Sequence, residues 1–217
     1  MITLTAKIYI SDTEVIEVDR RNMLGVDCSI FDRSDLKLPS FGIISNKGNI
    51  EFNDYDGRVL RYAESLQLVA GQKCEIWLNN TLVEGASERI ALLETDQWDY
   101  DNDSMTVSVS IKDDLEEWQE INDTGISYDP SSISGKPFSW LYEYLWGATM
   151  AVGNYDLLQI DQLDAETQNV LKNNYMKYPL LESGSLWKQW TKLCQSCQLH
   201  IYKDRNGKIV CRYNGGN

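Results

Sequence analysis

Two cysteines at C-x-x-C spacing and the chain's only histidine lie within one stretch, LCQSCQLH, from Leu193 to His200. Cys211 follows shortly after. Three chemistries fit such a set: a zinc site, a redox dithiol, or small apolar side chains in a core. A zinc knuckle needs a tight turn, usually with Gly or Pro, so that its thiolates converge. Neither residue type lies between or beside Cys194 and Cys197. Leu186, Trp187, Trp190, Leu193, Cys194 and Cys197 instead recur at helical spacing, so the cysteines continue an apolar stripe. The hairpin that follows adds a second constraint. Asp204-Arg205-Asn206-Gly207 suits a type I turn whose Gly is left-handed, which forms a G1 bulge. That register puts Leu199 and Ile201 on one face with Ile209, Cys211 and Tyr213. It puts His200 on the other face, toward solvent, with Tyr202, Val210 and Arg212, so His200 and Cys211 cannot share an ion. Core packing is favoured over a metal site or a redox dithiol. The chain is expected to be free of metal and cofactor, with Cys194 and Cys197 the residual metal candidates.

Carboxylates give the next candidates. Asp99, Asp101 and Asp103 in WDYDND have the spacing that opens a calcium-binding EF-hand loop. That loop then needs Gly at its sixth position and Glu at its twelfth, where this chain has Ser104 and Ser110. An acidic turn is the better reading, because Asp and Asn favour turns through local hydrogen bonds. Asp54, Asp56 and Gly57 in NDYDG read the same way. Ser185-Leu186-Trp187-Lys188 matches S-x-x-K, the acylation motif of penicillin-binding enzymes, but the companion S-D-N and K-T-G are missing and Ser185 has a ready role near a helix N-terminus. A Ser-His-Asp triad has only His200 to use, and there is no nucleophile elbow, P-loop or G-x-G-x-x-G. No catalytic residue is expected.

The elements that hold these residues divide the chain. Residues 1–120 read as a β-rich domain with short helices. Ile2, Leu4, Ala6, Ile8 and Ile10 alternate with polar residues, as do Leu24, Val26, Cys28 and Ile30. Cys74, Ile76 and Leu78 repeat the pattern, and so do Met105, Val107, Val109 and Ile111. Turn signals fall at Asp56-Gly57, Ala70-Gly71, Asn79-Asn80 and Asp101-Asn102-Asp103. A short helix is predicted over 58–65, with Val59, Tyr62, Ala63 and Leu66 inward. Another is predicted over 113–118, capped by Asp113. Residues 121–136, INDTGISYDPSSISGK, read as a loop or linker. Residues 137–217 form a mixed domain. Pro137 opens a helix with Phe138, Leu141, Tyr142 and Leu145 inward, and Asp164 caps a helix carrying Val170 and Leu171. Ser183 or Ser185 caps a third helix that runs to Cys197, and a hairpin closes the chain. The fold class is α+β: a β-rich N-terminal domain followed by helices and a C-terminal hairpin.

Composition bounds the partners. Lys and Arg number 20 against 33 Asp and Glu, a net charge of −13. Such a surface repels phosphate backbones and anionic lipid, so neither nucleic acid nor membrane is expected as a partner. No apolar run reaches the roughly 20 residues that span a bilayer, and the first residues alternate rather than forming a signal peptide. Five cysteines, an odd and scattered set, suit reduced thiols in a cytosol. Seven Trp and twelve Tyr suit core or interface positions. Trp140, Trp146, Trp187 and Trp190 all fall in or beside predicted helices.

The order of segments resembles a known family. GNIEFNDYDGRVLRYAESLQLVAGQKCEIWLNN (48–80) is followed by QWDYDNDSMTVSVSIKDDLEEW (97–118) and SLWKQWTKLCQSCQLHIYKDRNGKIVCRY (185–213). This succession resembles the tail hub and tail-associated structural proteins of bacteriophages, baseplate hubs included. The resemblance covers most of the chain and is most specific over 185–213. It implies a virion structural protein of the tail, made in the bacterial host cytoplasm. It also implies assembly with other tail proteins, a homotrimer in the full-length protein, and no catalytic residues. Such hubs continue past the hairpin, whereas this chain ends at YNGGN, so a fragment or a shorter relative is expected, with the C-terminal domain continuing. Residues 121–136 have no fixed counterpart in the family. The alternative is a glycan-binding module, or a host-surface adhesion component, that uses surface Trp or Tyr beside Asp or Asn.

Overall fold

A computed structural model describes residues 2–29, 42–80, 87–121, 134–177 and 184–214. Its strands are β1 (Ile2–Tyr9), β2 (Val15–Val18), β3 (Met23–Ser29), β4 (Gly42–Ile44), β5 (Lys47–Asn53), β6 (Lys73–Asn80), β7 (Ser87–Asp101), β8 (Thr106–Lys112), β9 (Leu199–Lys203) and β10 (Ile209–Tyr213). Its helices are α1 (Arg58–Glu64), α2 (Phe138–Val152), α3 (Ala165–Asn173) and α4 (Leu186–Cys197). The fold is α+β. The chain forms two compact units: residues 1–30, 46–114 and 205–207 make the first, and residues 31–45, 115–204 and 208–217 the second.

The first unit is built on a seven-stranded sheet in the order β2-β1-β6-β7-β8-β5-β3. Every neighbouring pair is antiparallel. Alternation puts Ala6, Ile8, Ile50, Phe52, Cys74, Ile76, Leu93, Val107, Val109 and Ile111 into one core, as the period of two demands. The strands at the two ends of the order, β2 and β3, are consecutive in sequence, with only Asp19–Asn22 between them. The Asp19 carbonyl accepts from the N–H groups of Asn22 (3.1 Å) and Met23 (2.8 Å). The Asn22 Oδ1 accepts from the Asp19 N–H (2.9 Å). The sheet therefore curls until its two edges meet at this turn, and its inner face wraps the core as in a barrel.

Three inward positions read from the sequence, two in strands and one in a helix, are corrected. Leu24 is an extra residue between the pairs Met23–Phe52 and Gly25–Glu51. This bulge turns it outward, 53% exposed, and gives the inward position to Met23. Met105 precedes β8 in a left-handed turn conformation (φ 52°) and is exposed. Leu66 lies just beyond the end of α1, also left-handed (φ 56°), and is 85% exposed rather than inward. Asn79 and Asn80 are not a turn: they extend β6, opposite Thr3 and Ile2. Ile30, Ser183 and residues 122–133 of the expected linker lie outside the described residues.

The second unit packs helices on the sheet β10-β9-β4, in which β9 is central, antiparallel to β10 and parallel to β4. Its core joins Leu115 and Trp118, in a 3-10 helix over Asp114–Gln119, to Phe138, Leu141, Tyr142 and Leu145 of α2. Leu186, Trp190, Leu193, Cys194 and Cys197 of α4 complete it, with Leu199, Ile201, Ile209 and Cys211 of the hairpin. Caps hold the helix starts. The Asp164 Oδ1 accepts from the Thr167 N–H (2.9 Å) and its Oδ2 from the Thr167 hydroxyl (2.9 Å). That hydroxyl oxygen in turn accepts the Tyr213 N–H (2.7 Å), tying the cap of α3 to β10. The Asp113 Oδ2 also accepts the Asn46 N–H (2.6 Å), within the first unit.

Candidate functional site

The chain passes from α4 into β9 through Gln198, which is left-handed (φ 56°) and donates its N–H to the Cys194 carbonyl. No loop separates the helix from the strand, so Cys194 and Cys197 stay on the packed face of α4. Both are buried, and Cys211 joins them in the same core. Burial pushes the Cys197 thiol up to about 12. It also pushes the Cys194 and Cys211 thiols up, with the neighbouring sulfurs adding to the effect. A thiol with so little thiolate is a poor nucleophile and a poor metal ligand. The register sets Cys211 opposite Ile201 and His200 opposite Arg212. His200 and Cys211 therefore point to opposite faces, as the hairpin pattern predicts. The expected solvent face is corrected: His200 is only 1% exposed, because β9 is a central strand with both faces covered. Burial lowers the pKa of its imidazole, and the Asn214 amide nitrogen lies 3.3 Å from its Nε2.

These placements predict slow thiol chemistry. In the intact protein, Cys194, Cys197 and Cys211 should react with a disulfide reagent at least ~100-fold more slowly than in the denatured chain. The check is the rate of thiol release with Cys28 replaced by Ser. A fast phase that vanishes in Cys197→Ser would contradict the packing described.

The acidic stretch forms the turn between β7 and β8. The Asp101 Oδ1 accepts the Asp103 N–H (3.0 Å) and its Oδ2 accepts the Ser104 hydroxyl (2.7 Å). These bonds hold the Asp101 carboxyl below its usual range. Asp99, Asp101 and Asp103 are all exposed, and among the described residues no group of three or more His, Cys, Asp or Glu is arranged to hold a metal. Asp54 goes beyond the turn expected of it. It is buried, and its two carboxylate oxygens accept the N–H groups of Val59 (3.1 Å) and Leu60 (3.0 Å) at the start of α1. Asp56 accepts the Arg58 N–H (3.1 Å). Ser185 of the S-x-x-K match caps α4, accepting the Lys188 N–H at 3.3 Å. Ser185→Ala should therefore cost about 1 kcal/mol of stability, read as a lower urea midpoint with an unchanged slope.

One cluster escapes sequence reading. Lys73, Glu75 and Trp77 alternate along the outer face of β6, and Tyr9 reaches them from β1. Glu75 is 4% exposed. Its Oε1 accepts from Lys73 (2.7 Å) and Arg89 (2.9 Å), and its Oε2 from the Tyr9 hydroxyl (2.9 Å) and the Trp77 indole N–H (3.0 Å). The Lys7 ammonium lies over the Trp77 ring at 5.6 Å and that of Lys73 over the Tyr9 ring at 4.5 Å. The cluster is polar, internally satisfied and cation-rich on an acidic chain. It can order an outer sheet face for contact, but it contains no nucleophile paired with a base.

Comparison with known proteins supports the fold. The chain is similar to the tail protein from Neisseria meningitidis MC58, with 12% identity and a TM-score of 0.56, over 97% of this chain and 50% of that one. It is also similar to the 43 kDa tail protein of prophage MuSo2 from Shewanella oneidensis, with 10% identity and a TM-score of 0.54, over 98% of this chain and 56% of that one. The chain thus spans about half the length of each. No family model and no curated protein matches it. At these identities the likeness is one of fold alone, shared with both of these tail proteins.

Proposed function

We propose that the chain is a structural component of a phage tail, of the hub or baseplate kind, that works by protein–protein contact and carries out no reaction. The observation that carries this reading is the extent of the likeness: both tail proteins match over nearly the whole chain and across both compact units. The side chains support it as well. The cysteines pack a core, Asp101 holds a turn, Ser185 caps a helix, and Glu75 is satisfied by four donors. Its partners are other tail proteins, and copies of itself as a homotrimer in a longer protein. Its place is the virion tail after synthesis in the bacterial host cytoplasm. The charge of −13 supports partners other than nucleic acid or anionic membrane.

Quantitative mass spectrometry of purified particles tests the reading. Peptides of this chain should be present at low copy in intact particles and in isolated tails, and disruption of its gene should give particles without a complete tail. Intact tails that lack these peptides would overturn it.

A further inference from the structure

A cleft of about 260 Å³ opens in the first unit where β2 turns into β3 and β5 runs toward α1. This is the end at which the curled sheet brings its edges together, and barrel mouths are a common place for ligand sites. The buried side chains of Ile16 and Phe52 form its apolar part, and Glu17, Arg21, Asn22, Tyr55, Asp56 and Arg58 surround them.

Three properties narrow what could enter. The lining carboxylates of Glu17, Asp19, Asp54 and Asp56 outnumber the guanidiniums of Arg21 and Arg58, so an anionic ligand is disfavoured. Two of these carboxylates are also committed within the fold. Asp19 is held by the Arg21 guanidinium (2.9 and 3.1 Å) and Asp54 by the start of α1, and among the described residues no three acidic groups are arranged to hold a metal ion. Third, the Tyr55 ring is 72% exposed, yet its hydroxyl is fixed by the Asn53 amide at 2.7 Å. An aromatic face held in the open beside planar amide, carboxylate and guanidinium groups matches a ligand with an apolar C–H face and a rim of hydroxyls. The volume is near the low end for ligand pockets, roughly 300 Å³, which fits a single sugar ring.

We propose that this cleft binds a neutral monosaccharide unit. Tyr55 would stack on the sugar's C–H face, while Asp56 accepts from a hydroxyl and Arg58 donates to one. The site goes beyond a structural role in the tail and does not rest on it, because its groups all belong to the first unit.

The test uses the whole chain, titrated with glucose, galactose, mannose, N-acetylglucosamine and N-acetylgalactosamine, with sialic acid as the anionic comparison. Binding is followed by protein-observed NMR. At least one neutral sugar should give saturable shifts, at a Kd of ~10 mM or tighter, centred on residues 52–58. Tyr55→Ala and Asp56→Asn should each weaken it about tenfold with an unchanged thermal midpoint. The proposal is overturned if none of the five sugars binds, if sialic acid alone binds, or if binding survives both substitutions.

Discussion

Trp190→Ala is expected to lower the free energy of unfolding by about 4 kcal/mol, within the range for removing a large aromatic from a packed core. Trp190 is fully buried. Its indole stacks on Trp118 at 5.9 Å and meets Tyr142 edge-on at 5.2 Å. Its Nε1 donates to the Thr149 Oγ1 at 2.9 Å, and the Thr149 hydroxyl donates onward to the Leu145 carbonyl (2.8 Å). Truncation would leave a cavity between two rings that are fixed by their own contacts, so the site cannot collapse cheaply. Trp190→Phe keeps most of the apolar area but removes the donor, and should cost about 2 kcal/mol. Thr149→Val leaves the indole N–H buried without its acceptor, at about 1–3 kcal/mol. The double variant should lose less than the sum of the two, because the second change removes a partner already missing. Urea unfolding of the native chain and these four variants gives the comparison. Strict additivity would mean that the hydrogen bond contributes nothing.

Much of this core was legible from local spacing alone. The α2 stripe of Phe138, Leu141, Tyr142 and Leu145 is buried as its period implies, and so is the α4 stripe, with Trp187 only half-buried at its edge. Asp164 and Ser185 cap as their positions suggest, since a cap depends on neighbours three residues away. The hairpin register follows from the Asp204–Gly207 turn for the same reason, with Gly207 left-handed (φ 87°). What was not legible depends on pairing between distant segments. β4 is three residues long and takes its place only by pairing with β9, some 155 residues later. That parallel partner makes β9 central, and His200, which an isolated hairpin pattern puts in solvent, is buried. The bulge at Leu24 shifts one strand by one residue against β5, and no local signal separates it from regular alternation. The meeting of the β2 and β3 edges follows from the order of all seven strands, not from either strand. The Glu75 cluster had half a signal. Lys73, Glu75 and Trp77 share a face by alternation, but Tyr9 and Arg89 join them only through the registers of β1 and β7 on β6.

That cluster should make the first unit sensitive to acid in a defined window. Burial pushes the Glu75 carboxyl up. Hydrogen bonds from Lys73, Tyr9, Trp77 and Arg89 outweigh burial and bring its pKa down to about 2, from an ordinary 4.5. The unfolded chain therefore takes up this proton at a higher pH than the folded chain does. The resulting stabilisation is complete above pH 4.5 and is lost as pH falls through about 2. A tenfold change in acidity is worth about 1.4 kcal/mol, and the Lys73 side chain is half-exposed, so solvent screening leaves about 2 kcal/mol as the expected size. Glu75→Gln removes the charge and keeps the shape. It should cost about 2 kcal/mol at pH 7, and the gap to the native chain should narrow steadily between pH 4.5 and 2. Replacing the partners separates the contributions. Tyr9→Phe removes one donor from Oε2, and Arg89→Gln one cation from Oε1. Each should raise the Glu75 pKa and start the acid loss at a higher pH. Denaturant unfolding at a series of pH values, with the Glu75 carboxyl followed by NMR, measures both effects. A native-to-variant gap that stays constant from pH 7 to pH 2 would mean that the four donors hold the side chain by geometry alone and contribute nothing through its charge.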